Sequence, residues 1–304
     1  MFDIVSVGHF AIDSIFLPDR NVPSIVLGGS VAYVSLSARR LDATVSVVCK
    51  VGGDFPDAYL WRLGQEGVDL SGVVKIESAQ TTCFELKYSS SLSNRKLRLK
   101  SKAPPITVED LPESLKAKII HVAPIAGEVT YEVAEKLRSC AEWLSLDPQG
   151  LVRSFDENGN VTRHSLTDKR ILEIIDIYKS SSDEIKAVTG MSTQKSAIKA
   201  VHDYGVEAVI VTLGMKGAVL SAEETVYKIP TYKSKKVVDP TGAGDAFIGG
   251  FLAEYVRGES SLWCACVGSA AASLVVEAAG PTFFGNKTEI HQRARVLSEK
   301  ETKR

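Results

Sequence analysis

Between Val237 and Val256 the chain reads VVDPTGAGDAFIGGFLAEYV, which brings a proline turn, two glycines and an aspartate together. Pro240 turns the end of an extended run, and Gly242 and Gly244 carry no Cβ, so an anion could approach their backbone N–H groups closely. Ala246, Phe247, Leu252 and Tyr255 recur near helical spacing. They predict an amphipathic helix beginning near Gly242, whose N-terminal dipole favours negative charge. A carboxylate at Asp245 then has two readings. It caps the first turn, or it is a general base that takes a proton from an attacking hydroxyl while the N–H groups of Gly242, Ala243 and Gly244 hold a phosphoryl group. The Walker A pattern G-x-x-x-x-G-K-[ST] is absent from this segment.

Such a turn needs a sheet behind it, and the rest of the chain supplies one. Short apolar runs alternate with amphipathic stretches, as in a parallel sheet with helices on both faces. Strands are predicted over Asp3–Val7, Thr44–Cys49, Ile119–Val122, Trp143–Leu146, Ile175–Tyr178 and Ala208–Thr212. Helices are predicted to begin near Gly29, Pro56, Glu128, Asp168, Asp183, Ser192, Gly242 and Ser260, with a charged tail fraying from Glu299. TTCFELKY from Thr81 and KLRLK from Lys96, joined by SSSLSN, break the alternation and predict a β-hairpin. Asp13–Phe16 and Ser24–Leu27 could pair beside it, giving a small projecting sheet from about 11–27 and 76–101. This sheet is either a lid that keeps water from an activated phosphate or an ordinary surface hairpin.

Composition narrows the classes. The chain has 304 residues, 44% hydrophobic and 24% charged, enough for a large core in one domain spanning 1–304. Lysine and arginine total 36 against 37 acidic residues, so no basic excess points to nucleic acid. No apolar run reaches the roughly 18 residues a membrane span needs, and MFDIVSVGHF enters a strand without a basic leader, which predicts a cytoplasmic protein. Cys49, Cys83, Cys140, Cys264 and Cys266 fit neither a disulfide framework nor a zinc site and read as buried small apolar residues.

The Val237–Val256 string resembles the C-terminal signature of the PfkB, or ribokinase-like, carbohydrate kinases, in which D-x-x-G-A-G-D supplies an anion hole and the catalytic aspartate. The resemblance implies a ribokinase-like three-layer αβα sandwich, a central mostly parallel sheet and a small β-sheet lid. It also implies that Asp245 is the base. GHFAIDSIF and LGGSVAYVSLSARRLDA match the family's acceptor segments, where Asp13 would grip two hydroxyls and Gly28 and Gly29 would let a ring approach the backbone. Outside the family these three residues read as turns. VGGDF, Val51 to Phe55, resembles the turn beneath the phosphate site.

On the donor side, VIVTLGMKGAVL resembles the segment that contacts ATP phosphates and ribose, implicating Thr212, Gly214 and Gly217. SSSDEIKAVTG resembles the N-x-x-E segment, with Ser181 in place of the asparagine and Glu184 retained as an organiser of Mg²⁺ through water. Away from that likeness Glu184 is a helix N-terminal acid. GSAAASLVVEAAGP would be the helix against which an adenine lies, through Ala271 and Ser273. The family also allows a monovalent cation.

Tyr33, where ribokinases carry asparagine, the hairpin T-T-x-F-E-L-x-Y followed by R-K-L-R-L, and D-x-Q-G-x-x-R from Asp147 together resemble the myo-inositol kinases of this family. Gln149 and Arg153 would then face a ring rich in hydroxyls, where otherwise they are a loop glutamine and a surface arginine. The expected activity is ATP-dependent phosphorylation of a cyclic polyol or sugar by a monomer, or by a homodimer joined through the lid. Nucleoside kinase and ribokinase-type activities are the alternatives within the family. Outside this activity stand a catalytically silent sugar-binding regulator and, more remotely, a dinucleotide-dependent dehydrogenase, against which GHFAID replaces G-x-G-x-x-G after the first strand.

Overall fold

The computed structural model describes residues 1–90, 92, 95–234 and 236–301. Part of the SSSLSN turn (Ser91, Ser93 and Asn94) therefore lies outside the described residues. In chain order the first elements are β1 (Phe2–Val7), β2 (Ala11–Phe16), β3 (Ser24–Gly28), α1 (Ser30–Arg39), β4 (Val45–Gly52), α2 (Asp57–Gln65), β5 (Val68–Ile76), β6 (Thr82–Tyr88) and β7 (Arg95–Ser101). β8 (Ala117–Val122), α3 (Tyr131–Arg138), β9 (Ala141–Leu146), β10 (Arg153–Phe155), β11 (Val161–Arg163), β12 (Ile177–Ser181), α4 (Ser182–Thr189), α5 (Gln194–His202) and β13 (Ala208–Thr212) follow. The chain continues through β14 (Ala218–Ala222), β15 (Thr225–Ile229), α6 (Ala243–Tyr255), α7 (Ser261–Val275) and α8 (Lys287–Glu301).

Nine strands form one sheet in the order β15-β14-β13-β12-β9-β8-β1-β4-β5. β13–β14 and β14–β15 pair antiparallel, and the other neighbours pair parallel. β4, VSVVCKVG, is buried at every residue, as a strand covered on both faces must be. One core packs α1, α6, α7 and α8 on one face, and the other packs α3, α4 and α5 on the opposite face. The result is the expected αβα sandwich. Among the described residues no helix is long and apolar enough to cross a membrane.

The projecting sheet has the order β3-β2-β6-β7 and covers its own small core of Ala11, Ile15, Phe84, Leu86, Ile125 and Ala126. Asp13 lies opposite Val26 on β3 and Phe84 on β6. The β10–β11 hairpin braces the sheet from outside: Leu99 N–H donates to Gly159 O at 2.8 Å, and Phe155 meets Phe84 at a ring-centroid distance of 6.4 Å.

Some elements differ from those expected. The helix expected at Asp168 is a short 3₁₀ turn, Lys169–Glu173, which Asp168 caps by accepting from Arg170 N–H. The helix expected near Glu128 starts at Tyr131, because the buried Glu128 carboxylate turns inward to accept the N–H groups of His9, Ile125 and Ala126. The charged tail expected to fray from Glu299 begins within α8, which Ile290, Ala294 and Leu297 anchor in the core, and residues 302–304 lie outside the described residues. The strand expected from Ile175 begins at Ile177 and runs on to Ser181.

Candidate active site

The residues singled out for the acceptor collect at the carboxyl ends of the central strands, where the sheet's strand order reverses around β1. One cavity between the α6 N-terminus and the lid is lined by Asp13, Gly29, Tyr33, Arg95, Gln149, Arg153, Gly242 and Asp245, among others. Phe84, Leu86, Leu97 and Ile125 form its apolar wall.

α6 begins as the sequence predicts. Gly242 is its left-handed N-cap at φ 74°, and a Cβ there would overlap the Tyr33 ring. The first-turn N–H groups of an α-helix have no carbonyl within the helix to bond, so this end is built to receive an anion. Asp245 accepts from Ser30 Oγ at 2.6 Å and from Gln149 Nε2 at 3.4 Å, both through Oδ1. Neither of these hydrogen bonds engages Oδ2. Arg153 holds Gln149 in place by donating to its Oε1 at 2.6 Å and to Ile125 O at 2.9 Å.

Asp13 is 5% exposed, and its Oδ1 has no partner. Gly28 is adjacent because any Cβ would overlap that carboxylate. Burial raises the Asp13 carboxyl to about 7, with Arg95 and Arg153 opposing the shift and Asp239 and Asp245 adding to it. Tyr33 is 1% exposed, and its hydroxyl likewise has no partner. Burial raises this phenol well above its ordinary value, so it stays neutral and can donate. Two orphaned polar atoms of opposite hydrogen-bonding character in one cavity are a ligand's complement.

Lys179 was missed in the sequence. It is 5% exposed, and its Nζ lies 2.6 Å from Asp147 Oδ2, while a Cβ on Gly244 would stand 2.9 Å from that Nζ. The cation therefore sits against the anion-binding end of α6. Burial works against its charge, but Asp147, Asp245 and Glu184 outweigh burial and raise the ammonium's affinity for its proton. Asp147 also accepts Gln149 N–H at 3.0 Å, so one buried carboxylate positions both the lysine and the acceptor glutamine. A lysine in the middle of a short, mostly buried strand, IYKSS, was the available signal.

The donor residues divide into two groups. Thr212 ends β13 opposite Ser181, and Gly214 and Gly217 turn the chain into β14, while Lys179 lies on the neighbouring β12 opposite Ile210. Glu184 and Ser181 form a reciprocal capping box on α4, with Ser181 N–H donating to Glu184 Oε2 at 2.8 Å. Against burial, Arg153 and Lys179 hold the Glu184 carboxyl below its ordinary value. Ala271 and Ser273 lie within α7. Ala271 is buried against Gly250 of α6, and Ser273 donates to Ala270 O and accepts from Arg293, so helix packing takes up both.

This architecture, a lidded αβα sandwich with a glycine-rich helix start and an aspartate beside it, is that of the ribokinase-like phosphotransferases. The chain matches the pfkB family of carbohydrate kinases over residues 1–289, and it belongs to that family. It is a kinase that transfers a phosphoryl group to a hydroxyl of a sugar or nucleoside. A cytidine kinase of Thermococcus kodakarensis is 31% identical over 273 residues, covering 88% of this chain and 94% of its own. An inositol 3-kinase of Arabidopsis thaliana is 28% identical over 290 residues, covering 92% of this chain and 76% of its own. Among solved structures, a pyrophosphate-dependent kinase of the ribokinase family, complexed with a pyrophosphate analogue and myo-inositol, shares the fold. Its TM-score is 0.80 at 23% identity, and the match covers 95% of this chain and 99% of that one.

Proposed function

We propose that this kinase uses ATP with Mg²⁺ to phosphorylate a hydroxyl of a cyclic polyol, with myo-inositol as the acceptor. The observation that carries this reading is the pair of orphaned atoms, Asp13 Oδ1 and Tyr33 Oη, in the cavity that Gln149 and Arg153 also line. A carboxylate accepts from one ring hydroxyl while a neutral phenol donates to another, and a ring with a hydroxyl on each carbon satisfies both. Asp245 then takes the proton of the attacking hydroxyl, with Gln149 and Ser30 fixing its other oxygen. The N–H groups of Gly242, Ala243 and Gly244 and the Lys179 ammonium meet the charge on the transferring phosphoryl group.

Magnesium fits this site as an ion held mainly by phosphate oxygens and water. Among the described residues no cluster of three or more His, Cys, Asp or Glu side chains forms a protein cage. Glu184 would support it through water, and the bound ion would neutralise phosphate charge. On this reading the enzyme is cytoplasmic and works as a monomer or as a homodimer through the lid.

A nucleoside acceptor is the second reading. It is favoured by the likeness to the cytidine kinase and by the apolar wall of Phe84, Leu86, Leu97 and Ile125, which could receive a base. Steady-state assays with myo-inositol, ribose, fructose 6-phosphate and cytidine, each with ATP and with pyrophosphate as donor, separate the two. The highest kcat/KM is expected for myo-inositol with ATP. A preference for cytidine overturns the polyol reading and leaves the kinase assignment standing.

A further inference from the structure

Glu128 is a fully buried carboxylate that the phosphoryl-transfer chemistry does not use. Its Oε1 accepts His9 N–H and Ile125 N–H, both at 2.9 Å, and its Oε2 accepts Ala126 N–H at 2.7 Å and Ile125 N–H at 3.0 Å. These N–H groups belong to two different parts of the protein. His9 stands between β1 and β2, where the chain leaves the sandwich for the lid. Burial holds its imidazole below the ordinary pKa against the pull of the Glu128 charge, so the ring is neutral near pH 7. A carbonyl oxygen only accepts, so Nε2 donates to Pro104 O at 3.0 Å, and Nδ1 is left to accept from Thr82 Oγ1 at 2.9 Å. Thr82 Oγ1 in turn accepts Ala103 N–H at 3.0 Å. One imidazole therefore ties together the approach to β2, the start of β6 and the segment that follows β7.

On the other side, Ile125 and Ala126 belong to the small core of the lid, and Ile125 lines the acceptor cavity. Ile125 O accepts from Arg153 Nη1 at 2.9 Å, Arg153 Nη2 donates to Gln149 Oε1 at 2.6 Å, and Gln149 Nε2 reaches Asp245 Oδ1 at 3.4 Å. Gly150 N–H donates to Pro124 O at 2.9 Å, a second brace between the two turns. We infer that Glu128 is a positioning residue: its carboxylate fixes the root of the lid to the 124–128 turn, and through that turn it sets where Arg153 and Gln149 meet the acceptor. This rests on the acceptor lying against Arg153 and Gln149, and not on which acceptor is native. The role needs a carboxylate, because both oxygens accept and they face different groups, Oε1 toward His9 and Oε2 toward Ala126. An amide of the same size must turn its NH₂ toward one of these N–H groups, so glutamine keeps one link and breaks the other.

The test compares wild type with Glu128→Gln, Arg153→Ala and the double variant, using myo-inositol and cytidine as acceptors. Glu128→Gln is expected to raise the acceptor KM by about 3–10-fold, the worth of one lost hydrogen bond, with ATP KM unchanged. Because Glu128 acts through Arg153, the double variant should be worse than Arg153→Ala by no more than about twofold, as expected for residues coupled in one network. Fully additive losses overturn the inference, as do an unchanged acceptor KM in Glu128→Gln and an equal rise in both KM values. Glu128→Asp keeps two accepting oxygens on a shorter arm and serves if the glutamine chain does not fold; the same selective rise in acceptor KM is expected, and its absence overturns the inference. Hydrogen exchange on the unliganded protein reads the coupling without turnover. In the Glu128 variant, peptides covering 8–13, 123–128 and 149–155 should exchange faster together while 208–212 in β13 holds. Faster exchange confined to 123–128 would show that the carboxylate serves its own turn alone. A wild-type chain that phosphorylates neither acceptor defeats the proposed substrate, and the exchange result then decides the role of Glu128.

Discussion

Replacing Asp13 with asparagine removes a charge that the folded protein holds at a cost. The carboxyl rises from an ordinary 3.8 to about 7, chiefly through burial, and the oxygen Oδ1 has no partner. A folded value above the unfolded one means that the folded state binds the proton more tightly, so stability is greatest below pH about 4 and is lost as pH rises toward 7. At pH 5 the raised value costs roughly 1.7 kcal/mol, and at pH 8 roughly 4 kcal/mol, by linkage at about 1.36 kcal/mol per pH unit. Asparagine does not titrate. Its advantage over aspartate should therefore grow by about 2–3 kcal/mol between pH 5 and pH 8, or about 5 °C in Tm for a chain of this size. The assay is thermal unfolding of wild type and Asp13→Asn without ligands at both pH values, paired with acceptor kinetics. In the wild type the acceptor kcat/KM should rise with pH to a plateau above about 7 as the carboxylate forms. In Asp13→Asn this inflection should vanish and acceptor KM should rise by about 10-fold or more. A Tm difference between the two proteins that is the same at pH 5 and pH 8 would refute the reasoning, because no raised carboxyl would then be present.

Asp245→Asn keeps the size and part of the capping ability but cannot accept the hydroxyl proton. Its kcat should fall about 10²–10⁴-fold with little change in ATP or acceptor affinity by calorimetry, and a folded variant with near wild-type kcat would reduce Asp245 to a helix cap. Arg153→Ala frees Gln149 from its 2.6 Å partner, so myo-inositol KM should rise while ATP KM holds; an equal change in both would place Arg153 outside the acceptor pocket. Tyr33→Phe removes a hydroxyl that has no partner in the unliganded protein, so the Tm should hold or rise while acceptor kcat/KM falls about 3–10-fold, the worth of one neutral hydrogen bond. A drop in Tm with unchanged kinetics would show that the hydroxyl serves the fold alone.

The parts of the site that were legible are those whose chemistry is local. Gly242, Gly244 and Asp245 share the first turn of one helix, and Gly28 lies beside Asp13 because a side chain there has no room, so short contiguous strings were enough to bring them together. The alternation of apolar runs with amphipathic stretches likewise marked the parallel strands, and the lid hairpin with its β2 and β3 partners came from β-type runs with turn residues between them. α8 escaped because its sequence is mostly polar, although Ile290, Ala294 and Leu297 recur at helical spacing and are all buried. Counting charges hid a stripe that counting positions would have found.

What stayed hidden depends on contacts across long sequence separations. Ser30 reaches Asp245, Asp147 reaches Lys179, and Tyr88 reaches Thr241, each joining elements that no local pattern connects. Ala271 shows a different ambiguity. A run of small residues looks the same whether it gives way to an adenine or to a neighbouring helix, and here Gly250 of α6 supplies the close neighbour. Glu184 shows why one residue can satisfy two readings: the capping box is real, and the same carboxylate lies in the field of Arg153 and Lys179. A cap fixes the carboxylate's position without consuming its charge. The structural reading and the catalytic one are therefore compatible there.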